Sequence, residues 1–166
     1  MSILPSLTIA LAGGSSLSRD EARSAAFELA RAEVSFDDKK SFLIALTKKG
    51  ESADEVAAFA SAFRSLSRGT GLDDVAPCAI DLVGTGGSGF GGFNISSAAA
   101  IVVAAAGIPV LKHGNRAITS QSGAADFLSA LGVPQTPSLP GLRTCVEELN
   151  FCFLFAPNFH PAFKEI

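Results

Sequence analysis

The sequence predicts an α/β protein, with a small N-terminal helical domain over residues 1–70 and an incomplete parallel-sheet α/β domain over residues 75–166. Three observations predict it. Serine-headed capping signals recur through the first part of the chain. From about Val75, short apolar runs alternate with helical stretches. Those runs read as nearly continuous apolar stretches rather than alternating ones, as in strands covered on both faces.

The opening segment, MSILPSLTIALAGG, lacks the leading positive charge of a secretion signal and fits a packed amphipathic helix. Ser18-Arg-Asp-Glu21 is a capping box, and the helix after it places Ala22, Ala25, Ala26 and Leu29 on one face. Ser35 with Asp38 opens the next helix, which closes on Lys48-Lys49-Gly50, cations and then glycine. Ser52-Ala-Asp-Glu55 is a second capping box, with Val56, Phe59, Ala60 and Phe63 as its apolar stripe and Gly69 as its stop.

In the second part, residues 79–83 read as a strand bounded by Pro77 and Gly84. A glycine-rich loop runs to Gly92, and a helix follows over about 95–106, broken by Gly107. Residues 108–111 form the second predicted strand, followed by a polar loop and a helix near 122–131. A linker containing Pro134, Pro137 and Pro140 precedes a helix near 142–149 and a third strand, Phe151-Cys-Phe-Leu-Phe155. Three parallel strands make a small sheet with open edges, so the chain reads as stopping before its fold is finished.

The chemistry concentrates after the first two predicted strands. Glycines from Gly84 to Gly92 let backbone N–H groups approach a phosphate with no Cβ in the way. Asn94 or Ser96 is suited to cap the next helix, whose N-terminus favours anions. Ser96 and Ser97 add hydroxyl donors, one of them suited to a magnesium ion held by a diphosphate. The loop is neither a Walker loop nor a dinucleotide turn, because GK[ST] and the ribose-binding acid are missing. Lys112-His113-Gly114-Asn115-Arg116 follows the second strand, where loops of an open α/β sheet line the ligand crevice. Lys112 and Arg116 bring positive charge there, and His113 and Asn115 are suited to orient a polar acceptor.

Taken in order, Gly84-Thr-Gly-Gly87, Asn94-Ile-Ser-Ser97, Lys112-His-Gly-Asn-Arg116 and Ser122-Gly-Ala-Ala-Asp126 resemble the signature of the anthranilate phosphoribosyltransferase family. The resemblance runs over nearly the whole chain, from Leu17-Ser-Arg-Asp-Glu-Ala22 and Lys49-Gly-Glu51 to Phe153-Leu-Phe-Ala-Pro157 and His160. It implies transfer of a phosphoribosyl group from 5-phosphoribosyl 1-diphosphate to anthranilate in tryptophan biosynthesis. It also implies magnesium as cofactor and a homodimer joined through the helical domain; the cytoplasm is the expected setting from the opening segment, which lacks a secretion signal's charge. No catalytic nucleophile is implied; positioning and electrostatics carry the reaction.

Carried over by position, the resemblance assigns phosphoribosyl-diphosphate binding to Gly84, Gly87, Ser88, Gly92, Asn94, Ile95, Ser96 and Ser97. It adds Lys112, His113, Gly114, Asn115, Arg116, Ala117, Ile118, Thr119, Ser120 and Ala124 to that cradle. Gly84 and Asn115 border anthranilate, and Ser96 meets magnesium. Ser88 stands where the family usually carries aspartate, and Gly91-Gly92 replaces a stretch that often carries a hydroxyl. The family's carboxylate-gripping arginine and magnesium-binding Asp-Glu pair fall beyond Ile166, so the chain is expected to be an N-terminal half, with a complementing C-terminal half as a further partner.

Other features narrow the classes. Net charge is −3, with 48% hydrophobic and 17% charged residues, which argues for a packed core and against nucleic acid or anionic membrane as partner. Cys78, Cys145 and Cys152 form no CxxC pair, and with only His113 and His160 beside them they read as reduced thiols rather than a zinc site. Asp37-Asp38 and Asp73-Asp74 read as solvated loop or cap residues. The apolar run over 98–111 is too short to cross a bilayer. Two alternatives stand beside the main reading: a pyrimidine nucleoside phosphorylase-like enzyme, disfavoured by the contiguous KHGNR, and a non-catalytic interaction module of the same fold.

Overall fold

The computed structural model describes residues 2–84, 93–117, 122–135 and 137–166. It divides into two compact units, Met1–Ser67 with His160–Ile166, and Arg68–Phe159.

The first unit is helical. Helices α1 (Leu4–Ala12), α2 (Arg19–Leu29), α3 (Phe36–Lys49) and α4 (Ala53–Ser65) pack as α1 on α3 and α2 on α4. Each later helix starts where a serine hydroxyl accepts the N–H three residues on, from Ser18 to Glu21, Ser35 to Asp38 and Ser52 to Glu55. Leu4, Leu7, Leu11, Leu29, Phe42 and Leu46 form the core. The stripe expected on α4 is rotated: Val56 and Ala60 lie exposed, while Ala58, Ala62 and Glu55 take the buried positions. The reason is electrostatic. Glu55, fully buried, accepts from Lys49 Nζ at 2.7 Å, from the N–H of Ser52 at 2.7 Å and from the N–H of Leu17 at 2.7 Å. The helix ends at Ser65, before Gly69.

The second unit carries the sheet. Helix α5 (Ile95–Ala105) leads to β1 (Val110–Gly114), then α6 (Ala124–Ala130), α7 (Leu139–Leu149), β2 (Phe151–Phe155) and the short α8 (Ala156–Phe159). β1 and β2 are parallel, in register from Val110 against Phe151 to Gly114 against Phe155. Alternate residues of β2 face opposite ways: Phe153 packs with Ala125 and Leu128, and Cys152 and Leu154 pack with Leu142 and Val146. Both faces of the sheet are therefore covered, as expected for a parallel sheet.

Three boundaries differ from the sequence reading. The strand expected over 79–83 narrows to a single parallel bridge from Ile80 to Val110. The second strand begins two residues late, after Pro109, and runs on through Lys112, His113 and Gly114, which the sequence placed in a loop. Helix α7 starts at Leu139, with Pro140 in its first turn, where its missing N–H has no intrahelical partner to lose. Asn150, in the left-handed region at φ 52°, turns α7 into β2. Among the described residues no helix is long and apolar enough to cross a membrane.

Candidate functional site

Four segments meet at the C-terminal end of β1: residues 81–84, the start of α5, the strand end itself and the start of α6. Lys112 joins the first and third. Its side chain is 1% exposed, and Nζ donates to the Leu82 carbonyl at 2.6 Å. Burial pulls its pKa down, and the nearby Asp81 charge opposes that shift. Asp81 also accepts the backbone N–H of His113 at 3.2 Å, so Asp81 and Leu82, just before Gly84, are each tied to β1.

Gly114 and Gly123 set how closely α6 approaches. A Cβ on Gly114 would sit 2.9 Å from Ala124 Cβ and 3.0 Å from the Phe153 ring. A Cβ on Gly123 would sit 2.4 Å from the Ala117 nitrogen and 2.7 Å from the Asn115 carbonyl. Only a bare Cα fits at either position. The N–H of Ala125 donates to the Asn115 carbonyl at 3.1 Å, anchoring the turn after β1 to α6.

At α5, Asn94 occupies the N-cap but its side chain does not cap the helix. Its Nδ2 donates instead to Ser122 Oγ at 3.1 Å, and the Phe93 and Phe127 rings meet edge-on at 6.0 Å, so the starts of α5 and α6 are held together. Among the described residues no side chain caps the α5 N-terminus, and a helix N-terminus carries the partial positive charge that favours anions. Ile95 is 73% exposed, Ser96 half-buried and Ser97 buried.

Of the residues singled out from sequence, Gly84, Asn94, Ile95, Ser96, Ser97, Lys112, His113, Gly114, Asn115, Arg116, Ala117 and Ala124 thus fall on these four segments. Asn115 and Arg116 are exposed; Asn115 Oδ1 accepts the Arg116 N–H at 2.8 Å, and the Arg116 guanidinium lies 5.9 Å from the Phe155 ring centre. Gly87, Ser88, Gly92, Ile118, Thr119 and Ser120 lie outside the described residues.

Asp81 and Asp126 received no role from sequence. Asp126 accepts the N–H groups of Ala117 and Gly123, each at 2.9 Å, and lies 3.4 Å from Arg116 Nη1. These bonds, the Ala117 one foremost, hold its carboxyl below the usual carboxylate range. An acid at the third position of a helix is a legible sign of this half of a capping box.

Among the described residues no three His, Cys, Asp or Glu side chains cluster as a metal cage. Ser96, half-buried in the first turn of α5, carries a hydroxyl of the kind that suits a magnesium ion brought by a diphosphate.

Residues 5–67 match the glycosyl transferase family, helical bundle domain, and residues 76–166 match the glycosyl transferase family, a/b domain. The anthranilate phosphoribosyltransferase of Methylobacterium sp. (strain 4-46) is 45% identical over 157 residues, 94% of this chain and 45% of that protein. That of Bradyrhizobium diazoefficiens is 42% identical over 166 residues, the whole of this chain and 48% of that protein. The crystal structure of anthranilate phosphoribosyltransferase from Thermus thermophilus superposes with a TM-score of 0.81 at 39% identity, over 96% of this chain and 48% of that one. The Saccharomyces cerevisiae enzyme in complex with PRPP and Mg superposes with a TM-score of 0.75 at 30% identity, over 98% of this chain and 48% of that one. The chain spans about half the length of the curated relatives it matches. Two domain types matched in order, over most of the sequence, place this chain in the glycosyl transferase family of paired helical bundle and a/b domains.

Proposed function

We propose that this chain supplies the helical and phosphoribosyl-diphosphate-binding half of an anthranilate phosphoribosyltransferase. The carrying observation is the convergence of Leu82, Asn94, Lys112, Asn115 and Ala124 at one end of β1, beside an uncapped helix N-terminus. Curated relatives with that activity support it at 42–46% identity.

On this reading the open end of α5 receives the substrate's phosphates, with Ser96 and Ser97 as hydroxyl donors. Arg116 adds exposed positive charge, while buried Lys112 braces the chain entering the glycine loop. Asn115, which is exposed, touches the aromatic amine acceptor on this reading. Magnesium bound to the diphosphate would neutralise charge on the leaving group. What these residues contribute is orientation and a preorganised field; no side chain forms a covalent bond.

The two-domain division at about residues 70–75, a cytoplasmic setting and a homodimer through the helical unit belong to the same proposal. Ile44, 45% exposed, lines an open groove of about 630 Å³ with Leu11, Ala12, Ala45, Lys48 and Lys49, and its exposed apolar side chain is what favours an interface on this unit.

The test is loss of anthranilate fluorescence with the purified chain, 5-phosphoribosyl 1-diphosphate and Mg²⁺, with and without the C-terminal half of a relative supplied in trans. Decay on complementation is the expected result. No decay in either arm, with no calorimetric binding of the diphosphate, would overturn the proposal.

A further inference from the structure

The geometry points to Asp126 as a positioning residue that staples the turn after β1 to the start of α6 and so presents Asn115 and Arg116 to the ligand. This rests on the function proposed above. One carboxylate oxygen, Oδ2, accepts from both Ala117 and Gly123, at 2.9 Å each. These two N–H groups belong to residues six positions apart in the sequence, and a single oxygen atom bonds both. The other oxygen faces Arg116 Nη1 at 3.4 Å. Ala125 completes the staple by donating its N–H to the Asn115 carbonyl at 3.1 Å. Gly123 lets the turn come this close, because a Cβ there would collide with Ala117 and with the carbonyl carbon of Arg116 at 2.6 Å.

The carboxylate is not in a binding position itself. Its oxygens face two backbone donors of the turn and the Arg116 guanidinium, and it carries a negative charge that would repel a diphosphate. Its effect on the ligand is exerted through where it holds Asn115 and Arg116.

The two oxygens have separable tasks, which makes the inference testable. Asp126→Asn keeps one oxygen for Ala117 and Gly123 but loses the charge facing Arg116. Asp126→Ala removes the staple. Binding of 5-phosphoribosyl 1-diphosphate with Mg²⁺ to the full chain is read by calorimetry. Amide exchange at Ala117 and Gly123 is read by NMR on the same samples, and far-UV circular dichroism confirms that both variants are folded. The expected result is about tenfold weaker binding for Asp126→Ala, the worth of one hydrogen bond to a charged group. Asp126→Asn should bind within about threefold of the parent. Protection of both amides should fall in the alanine variant and persist in the asparagine variant. Equal binding by alanine and parent, or equal weakening by both variants, would overturn the positioning role. If the parent binds no diphosphate, the proposed function fails, and amide exchange then decides the staple by itself: unchanged protection in Asp126→Ala would sink it.

Discussion

The Lys112 ammonium and the Leu82 carbonyl are 2.6 Å apart, joined from a side chain that is 1% exposed. A buried cation here is a brace before it is a phosphate ligand. Lys112→Met keeps much of the stem and removes the donor, and should cost about 1–3 kcal/mol of stability, read from urea unfolding. If the brace sets the entrance to the glycine loop, affinity for 5-phosphoribosyl 1-diphosphate falls as well. Calorimetry showing unchanged affinity in the folded variant would remove Lys112 from the cradle.

The helical starts of the first unit were legible because their signals are local. Ser18, Ser35 and Ser52 each bond a group three residues away, so sequence contains both partners. The sheet was legible only in outline. Residues 79–83 have strand character, yet parallel pairing depends on a distant partner, and only Ile80 makes backbone-to-backbone bonds across, to Pro109 and Leu111. Lys112, His113 and Gly114 look like a polar loop because sequence does not reveal that the lysine will find Leu82 or that the glycine will admit Ala124. Val56 looked buried by spacing, but the neighbouring Glu55 took the interior position with three sets of donors. Non-local contact, polar at Leu82 and Glu55 and steric at Gly114, was the missing information.

Asn94 tests how the start of α5 is used. Its side chain reaches Ser122 at 3.1 Å rather than capping the helix. Asn94→Ala should therefore cost less than the roughly 1 kcal/mol of a lost N-cap, while separating the starts of α5 and α6. Diphosphate binding should weaken by several-fold, on the order of 1 kcal/mol. A stability loss with intact binding would reverse this assignment and make Asn94 a structural cap.

Glu55 gives the first unit a defined acid sensitivity. Burial raises its pKa, but Lys49 and the N–H groups of Ser52 and Leu17 more than offset this and hold it at about 2, against an ordinary 4.5. A carboxyl lowered on folding stabilises fully above its unfolded pKa, and that contribution is lost as pH falls from about 4.5 towards 2. The amount at stake is on the order of 3 kcal/mol. Glu55→Gln should flatten this part of the stability–pH curve. It should also lose about 3–5 kcal/mol near neutrality, because Lys49, 7% exposed, keeps a charge without its partner. Urea midpoints from about pH 6 to pH 3, parent against variant, separate Glu55 from other carboxylates. Parallel curves would show that it contributes no acid sensitivity.

The three thiols should react in the order of their surroundings. Cys78 is exposed, Cys145 half-buried and Cys152 buried in β2, where Leu111 is its register partner. Burial pushes the Cys152 thiol up to about 12, with Cys145 adding a smaller upward effect. Alkylation requires the thiolate, so near pH 8 Cys152 lacks both the reactive form and a path for reagent. Peptide mass spectrometry after iodoacetamide should find Cys78 labelled first and Cys152 at least about tenfold slower, reacting only through opening of the sheet. Raising urea below the unfolding midpoint should accelerate Cys152 far more than Cys78. Equal rates for the two in the folded protein would mean that β2 opens readily, and a strand that opens readily could not hold the far end of β1, where the site is built.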